Sequence, residues 1–584
     1  MQCQIHAVPD FMQCPILAVP DSFCARSTST TTEIHLSELT DPDASAPSGH
    51  DSTPGFRPTA VAAVPLAAIG AAIGVAVPGA SSSVPVTGIS LNSRSVRPGD
   101  LYVALPGATR HGADFVSQAV DAGAVAVLTD DAGARLLALA NDIPVPVVLA
   151  HEPRSVVGRL SALIYQSRPD GAEAPALFGV TGTNGKTTTT YFINALLRAL
   201  GKRTGLIGTI EILAGGEPIP SLLTTPESTD VHALLALMRE RGLDAASMEV
   251  SSHAVSFHRV DAVVFDVAGF TNLTQDHLDL HGTMEEYFQT KARLFTPERA
   301  RAAVVTIDDA WGRKLAATAD IPVTTLATAP GVAEADPAAD WTVAQTSPRG
   351  LGSDFVLRHR DGAELRVHTG LPGSFNVANA ALATVMVLAG GHQPAAVQAA
   401  LDAADPFTVA VPGRMQLVST APAAVVDFAH NPDALERALE AVRSPEPGSK
   451  VIIVFGATGQ RDQSKRPAMG AIAARLADTV IVSDDDPHDE DAAAIRADVL
   501  AGALAAKEDE RLDCTILEIF PRDAAIVKAV ELAGAGDTIL VAGRGHEVWQ
   551  EVKGVNLALD DRVELRNALT ARGFTVLEDH RIES

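Results

Sequence analysis

The sequence predicts an α/β protein of about three domains with largely parallel sheets. A chain of 584 residues is too long for one hydrophobic core. From about residue 85 onward, short apolar strand-like runs alternate with helix-like runs, the pattern of strand–helix–strand units. Within that pattern, ALFGVTGTNGKTTTTYFINALLRAL (residues 176–200) reads as a strand, a glycine-rich turn and a helix in direct succession.

Composition narrows the function classes. Apolar residues make up 46% of the chain, ample for burial, and the net charge of −26 excludes a general binder of nucleic acid or anionic membrane, which needs a basic face. Of four cysteines, Cys3, Cys14 and Cys24 lie near the start and Cys514 stands alone, so no disulfide framework spans the chain. That fits a reducing, cytoplasmic setting.

The N-terminus opens on a short tandem duplication, MQCQIHAVPDF then MQCPILAVPDSF, without the basic region of a secretory signal. Residues 26–58 are rich in Ser, Thr, Pro and Asp, and residues 1–58 are expected to be a disordered extension. AVAAVPLAAIGAAIGVAV (60–77) has the length of a membrane span. Ala and Gly dominate it, Pro65 interrupts it and no Lys or Arg cluster flanks it, so it reads as a buried helix and strand opening a domain. VPVTGISL, DLYVAL, AVAVLTD and VPVVLA then read as strands alternating with helices at ADFVSQAVDAG and PRSVVGRLSALIYQ. SRPDGAEAP reads as a linker, and a second break falls near DAADPFTVAVPGR, giving expected domains at 59–165, 166–410 and 411–584.

The strongest chemical signal is the glycine-rich turn. Gly182 and Gly185 let backbone N–H groups turn toward a phosphate, Lys186 can reach terminal phosphates and the Thr187 hydroxyl can hold Mg²⁺. A strict phosphate loop has glycine five positions before Gly185; here that position is Val180, and the glycine is Gly179. Further on, ASMEVSSHA (246–254) puts Glu249 near a strand end, and GFTNLTQDHLDLHG (269–282) gathers Asn272, Asp276, His277, Asp279 and His281 in one loop. Singly, each reads as a turn residue or helix cap. Together, at the carboxyl ends of strands beside a phosphate loop, they read as a polar, metal-capable cleft. In TMEEYFQTKARLF, Lys291 falls on the apolar stripe of Met284, Tyr287, Phe288, Leu294 and Phe295, so it either snorkels past the stripe or points into the site.

With these motifs in order (GVTGTNGKTT, MEVSSHA, TNLTQDHLD, GSFNVANAAL, PGRM, DFAHNPDAL and AGRGHE) the chain resembles the Mur ligase family over about residues 85–570, with the UDP-N-acetylmuramoyl-tripeptide synthetases as the nearest branch. The first 50 or so residues have no counterpart in that resemblance. It implies an N-terminal UDP-binding α/β domain, a central P-loop mononucleotide-binding domain for ATP and a C-terminal Rossmann-like domain for the incoming amino acid. It also implies a cytoplasmic, monomeric ATP-dependent ligase acting on UDP-MurNAc-L-Ala-D-Glu and a free amino acid, with no nucleic-acid or membrane partner. ATP would phosphorylate the D-Glu side-chain carboxylate, and the amine would displace phosphate.

The resemblance also assigns residues. Leu91, Ser93, Ala108, Thr109 and Arg110 match uridine-binding positions. Gly182, Thr183, Asn184, Gly185, Lys186, Thr187 and Thr188 match the phosphate loop. Thr224, Thr225, Ser251 and Arg259 match muramoyl-peptide contacts; Phe257 stands where the family often has glutamine. Thr187, Glu249 and His277 match magnesium positions, and Lys291 matches a lysine carbamylated from CO₂ in the family. Asn376, Arg414 and Asp427 match contacts that close over ATP. Arg461, Asp485, Asp486, His488, Gly543 and Glu547 match the amino-acid site.

The added amino acid is read from DDDPHDED, residues 484–491. Asp489, Glu490 and Asp491 suit a helix start through the helix dipole. Asp485 to His488 fall where the diaminopimelate-adding enzymes read DNPR, whose arginine grips the substrate's far carboxylate; here that arginine is missing. Two carboxylates would attract the terminal cation of L-lysine or L-ornithine and repel the extra carboxylate of diaminopimelate. L-lysine or L-ornithine is therefore the expected substrate, with meso-diaminopimelate as the alternative. A P-loop kinase or transport ATPase, a nucleotide-binding pseudoenzyme and a folylpolyglutamate synthetase are the competing classes. Against them stand, in turn, the absence of an LSGGQ signature, the intact set Lys186, Thr187, Glu249, His277 and Lys291, and the SLNSRSVRPGDLYVALPG stretch.

Overall fold

The computed structural model describes residues 57–139, 143–168, 174–215, 218–221, 223–329 and 339–578. Most of the expected 1–58 extension, with Cys3, Cys14 and Cys24, lies outside them. Three sheets organise the described chain, each built on parallel strands with helices packed against it.

The first sheet has four parallel strands in sequence order, Gly88–Ser90, Asp100–Ala104, Ala126–Thr129 and Val147–Leu149. Asp100–Ala104 is buried along its whole length, as a parallel strand covered on both faces must be. Helix Pro153–Tyr165 starts with proline at its first position and buries Val157, Leu160 and Ile164 in the same core. Ala233 and Ala236 of the next domain's helix Ser228–Glu240 join that core. The alanine-rich 60–77 stretch forms the short strand Val64–Pro65, paired antiparallel with Pro85–Val86, then helix Leu66–Ala72. No helix among the described residues is long and apolar enough to cross a membrane.

The second sheet has eleven strands. Ala176–Thr181 runs through its middle, flanked in parallel by Ala245–Glu249 and Val267–Phe270. After Ala176–Thr181 the chain crosses through helix Lys186–Ala199 to Thr204–Ile207 on one side, and later strands continue on the other. The strand order therefore reverses at Ala176–Thr181, which opens a crevice at its carboxyl end. Helix Ser374–Ala389 packs its apolar residues against Phe192 and Ile193 of the phosphate-loop helix in one core.

The third sheet has the order Gln416–Thr420, Ala423–Asp427, Thr538–Ala542, Val451–Phe455, Thr479–Val482, Thr515–Glu518, parallel except for its first pair. A fully buried ion pair, Arg522 with Asp561 at 2.8 Å, braces it. The same guanidinium donates to the carbonyls of Asp484 and Ala542, so the ends of two strands that flank Val451–Phe455 are tied at one point. Cys514 is buried and free.

Beyond Asp484 the chain departs from the expected helix start. Helix Ala492–Glu510 is capped by Asp491 alone, whose side chain accepts from the Ala493 N–H. Glu490 instead pairs with the buried Arg466 at 2.7 Å, and Asp489 lies near the Gln460 side chain. A long-range guanidinium outcompetes the modest gain of a carboxylate at a helix N-terminus.

Candidate active site

The phosphate loop is held by its neighbours. Gly182 has φ +145°, and a Cβ there would lie 1.9 Å from Thr271 Oγ1, so only glycine fits. Asn272, at the end of the adjacent strand, accepts from the Thr183 N–H through its carbonyl (2.9 Å) and from the Asn184 N–H through its side chain (3.0 Å). Lys186 Nζ donates to the carbonyls of Gly182 (3.1 Å) and Thr183 (2.9 Å). Burial, aided by Arg414, pulls the Lys186 ammonium below its ordinary pKa, while Glu249 opposes that shift.

Behind this loop lie the metal-capable residues. Glu249 is fully buried and accepts from the Thr187 hydroxyl (2.9 Å) and from the Thr209 backbone (2.7 Å). His277 sits at φ +54°, a left-handed conformation that costs a non-glycine residue and concentrates at functional sites. Burial holds its imidazole well below the usual pKa, so it is neutral with a lone pair to offer; Asp276 opposes the shift. The His253 ring lies edge-on to it at 4.8 Å. The buried carboxylate and the hydroxyl are oxygen donors that suit Mg²⁺, and the neutral imidazole adds a nitrogen donor.

Lys291 points inward. A capping box of Thr283 and Glu286 starts helix Met284–Ala292, which buries Tyr287, Phe288 and Lys291 together. Lys291 Nζ donates to the Gly182 carbonyl at 2.8 Å and lies 4.7 Å above the Tyr287 ring. Tyr287 shares a 3.2 Å hydrogen bond with Thr183, and the His281 ring stacks on it with centroids 4.9 Å apart. Burial, with Lys186 nearby, holds the Lys291 amine well below the ordinary lysine range.

The third domain closes this crevice into a cleft of about 680 Å³. Of the expected residues, Thr183 through Thr188, Thr224, Glu249, Ser251, Arg259, His277 and Asn376 line it from the middle domain. Arg414, Asp427, Arg461, Asp485, Asp486, His488, Gly543 and Glu547 line it from the C-terminal domain. Arg414 donates to the Thr187 hydroxyl at 3.1 Å across the domain boundary. Asp427 accepts from the backbone N–H groups of Met415 and Ala429, and Gly543 N–H donates to the Asp427 carbonyl. Asn376 donates to the Pro372 carbonyl and orients Asn379.

Thr225 is fully buried below the cleft, accepts from the Ser251 N–H and donates to the Glu249 carbonyl. Arg259, buried, donates to the Thr225 carbonyl, pairs with Glu227 at 3.3 Å and lies 5.9 Å over the Phe257 ring. The aromatic ring thus takes up a neighbour of the guanidinium. The expected uridine residues sit elsewhere. Leu91 and Ser93 follow strand Gly88–Ser90, and Ala108, Thr109 and Arg110 follow Asp100–Ala104, at the same end of the first sheet. Ser93 is buried and donates to Gln118, whereas Ala108 to Arg110 are exposed and Arg110 pairs with Asp114.

Asp276 and Asn184 were read from the sequence as cleft residues, but their partners across the domain boundary, and Arg544, were not. Asp276 is buried where the middle and C-terminal domains meet. It accepts from Asn431 (3.2 Å), and His430 and Lys465 each approach it to 3.5 Å. Burial pushes its carboxyl up, but His277, Lys465 and His430 outweigh that and hold it well below the usual carboxylate range. Asn184 of the phosphate loop bonds Asp433 (2.8 Å) and Asn431 (3.1 Å) across the same boundary. Finally, Arg544, wholly buried, pairs with Asp486 and lies 4.0 Å from Asp485 and 3.7 Å from Glu547. Its only signal was its place between the two glycines of AGRGHE. Its presence corrects the expected charge selection, because the carboxylates of DDDPHDED face a guanidinium of the protein's own. Burial, then the neighbouring carboxylates, raise Asp486 to about 6 and Glu547 well above its usual range.

A mononucleotide-binding crevice closed by a second α/β domain, with a carboxylate-lined wall opposite the phosphate loop, fits an ATP-dependent ligase. Family comparison agrees. Residues 85–163 match the Mur ligase family catalytic domain, 180–387 the Mur ligase middle domain and 413–545 the Mur ligase glutamate ligase domain. The chain belongs to the Mur ligase family. It is 47% identical over 517 residues to the UDP-N-acetylmuramoyl-L-alanyl-D-glutamate–2,6-diaminopimelate ligase of Streptomyces coelicolor, covering 88% of this chain and 98% of that one. It is 44% identical over 521 residues to the UDP-N-acetylmuramyl-tripeptide synthetase of Leifsonia xyli, covering 89% and 98%. A solved UDP-N-acetylmuramoyl-L-alanyl-D-glutamate–2,6-diaminopimelate ligase superposes with TM-score 0.58 at 30% identity, over 88% of this chain and 100% of that one. The ADP complex of a Thermotoga maritima MurF ligase shares the fold with TM-score 0.55 at 18% identity, over 83% and 99% of the two chains. These relatives point away from the L-lysine or L-ornithine expectation and toward its alternative.

Lys186→Ala is expected to lower kcat for ATP-dependent ligation by about 10²–10³-fold or more, the range for removing one electrostatic donor. Binding of the UDP substrate, measured calorimetrically, is expected to stay near wild type, because the residues matched to uridine lie in the first sheet. Turnover near wild type would remove the phosphate loop from the mechanism.

Proposed function

We propose that the chain joins a diamino acid to the D-Glu side-chain carboxylate of UDP-MurNAc-L-Ala-D-Glu at the expense of ATP. The carrying observation is that one cleft presents Lys186, Glu249 and His277 on one wall and Arg414, Arg461 and the Asp485–Asp486–Glu547 cluster on the other. The carboxylate attacks the terminal phosphorus of ATP, ADP leaves, and an acyl phosphate forms. The amino group then attacks the acyl carbon, and phosphate departs with the C–O bond. The first step brings two anions together and the second, attack by the neutral amine, develops negative charge on the acyl oxygen and the departing phosphate, so Lys186 and Arg414 supply fixed positive charge where it is needed. Thr187, Glu249 and His277 would hold Mg²⁺, which neutralises phosphate charge when bound. ATP and a UDP-linked precursor as substrates place the reaction in the cytoplasm.

A carbamate on Lys291 belongs to the same proposal. The support is a buried lysine whose environment favours the free amine, the form that adds CO₂. The product would be an anion beside His277. A ¹³C-bicarbonate-labelled sample is expected to give a carbamate resonance that disappears in Lys291→Met. Identical spectra for the two proteins would remove the carbamate.

For the amino acid, the names of the relatives favour meso-diaminopimelate. The geometry is compatible, because three carboxylates around one guanidinium leave room for the substrate's ammonium. L-lysine or L-ornithine is the second reading, favoured by His488 standing where a carboxylate-gripping arginine is expected. With purified enzyme and amine-dependent phosphate release, kcat/KM for meso-diaminopimelate is expected to exceed those for L-lysine and L-ornithine at least tenfold. The reverse order would establish the second reading. No release with any diamino acid would overturn the ligase assignment itself.

A further inference from the structure

The segment Asp484–His488 that forms one wall of the amino-acid pocket does not hold itself in place. His488 has φ +51°, unfavourable for a residue with a Cβ. A two-stranded hairpin, Trp549–Val552 paired with Val555–Ala558, lies against it. His488 N–H donates to the Glu551 carbonyl (3.3 Å), and Lys553 N–H donates to the His488 carbonyl (2.8 Å), so the loop is an added parallel bridge on the hairpin edge. Gln550 Nε2 donates to the Asp485 carbonyl at 2.6 Å, and Glu551 N–H reaches Asp486 Oδ1 at 3.4 Å. Glu551 Oε2 lies 2.9 Å from His488 Nδ1. A carboxylate accepts, so the proton sits on Nδ1 and the ring orientation is fixed.

The hairpin has little other visible role. Its outer strand Val555–Ala558 is exposed throughout, and Trp549 is 52% exposed. Arg544 holds the Asp486 carboxylate, but the His488 side chain and the Asp485 carbonyl are held by this separate element, which lines no part of the cleft. Sites held by supporting contacts lose selectivity when the support is removed, because groups displaced by about 1 Å no longer distinguish similar ligands.

We propose that this hairpin is a specificity clasp for the incoming amino acid, with Glu551 as a positioning residue acting through the His488 ring. The proposal rests on the amino-acid-site reading above but not on which diamino acid is added. It concerns the ratio between them.

The test compares wild type, Glu551→Ala, Glu551→Gln and His488→Ala. Phosphate release is measured with meso-diaminopimelate, L-lysine and L-ornithine, and amide hydrogen exchange is followed across residues 484–488. Glu551→Ala is expected to raise KM for the preferred amino acid at least tenfold and to shrink discrimination among the three at least fivefold. KM for ATP and for the UDP substrate is expected to stay within twofold. Glu551→Gln, which keeps an acceptor for Nδ1–H, is expected to recover most of the loss. In the His488→Ala background, Glu551→Ala is expected to add less than twofold. Exchange in the loop is expected to accelerate in Glu551→Ala without substrate, which reads the clasp even if the substrate reading fails. Unchanged discrimination in an active, folded Glu551→Ala enzyme, or unchanged loop exchange, would overturn the clasp. Absence of turnover by wild type with all three amino acids would instead overturn the ligase reading and leave loop exchange to decide the clasp.

Discussion

The site depends on one buried carboxylate. Asp276 belongs to the middle domain by sequence but takes Asn431, His430 and Lys465 from the C-terminal domain. A buried anion without partners is costly, and removing one partner of such a pair typically costs about 3–5 kcal/mol. The two domains therefore cannot separate around Asp276 without rehydrating it. The same separation would break Asn184 from Asp433 and Arg414 from Thr187. Phosphate loop, metal-capable residues and amino-acid pocket become one cleft only while this contact holds. The contacts that join the two domains are thus the contacts that assemble the cleft.

The electrostatic design of the cleft follows from that closure. On the nucleotide side, Lys186, Arg414 and Lys291 face each other at close quarters, and burial lowers each below its ordinary pKa. Glu249 and Asp276 offset that lowering only in part. On the amino-acid side, Asp485, Asp486 and Glu547 crowd one arginine, and burial drives Asp486 and Glu547 upward. Arg544 offsets that rise only in part. The two halves thus carry opposite local charge, complementary to anionic and cationic ligands respectively.

Much of this was legible in the sequence where local chemistry dictates it. The phosphate loop announced itself because a glycine turn between a strand and a helix has one main use. Glu249 and His277 followed from strand ends next to it. Lys291 was ambiguous on pattern alone, and packing against Tyr287 and Gly182 decided it. What stayed hidden was contact between residues far apart in sequence. Asp276 looked like one polar residue of a loop, since its partners lie more than 150 positions away. The acidic run at 484–491 misled because charge was counted without Arg544, more than 50 positions later, and Arg466, which claims Glu490. Pairing across such separations is set by topology, which short windows do not contain.

The central claim is that the Asp276 contact assembles the site across the domain boundary. A double-mutant cycle of Asp276→Asn and Lys465→Met, read as kcat/KM for ATP, addresses it directly. If the two residues act through one contact, each single change lowers kcat/KM at least tenfold and the double mutant is no worse than the weaker single mutant. Losses that multiply in the double mutant, or a Lys465→Met enzyme with wild-type kcat/KM, would contradict the claim.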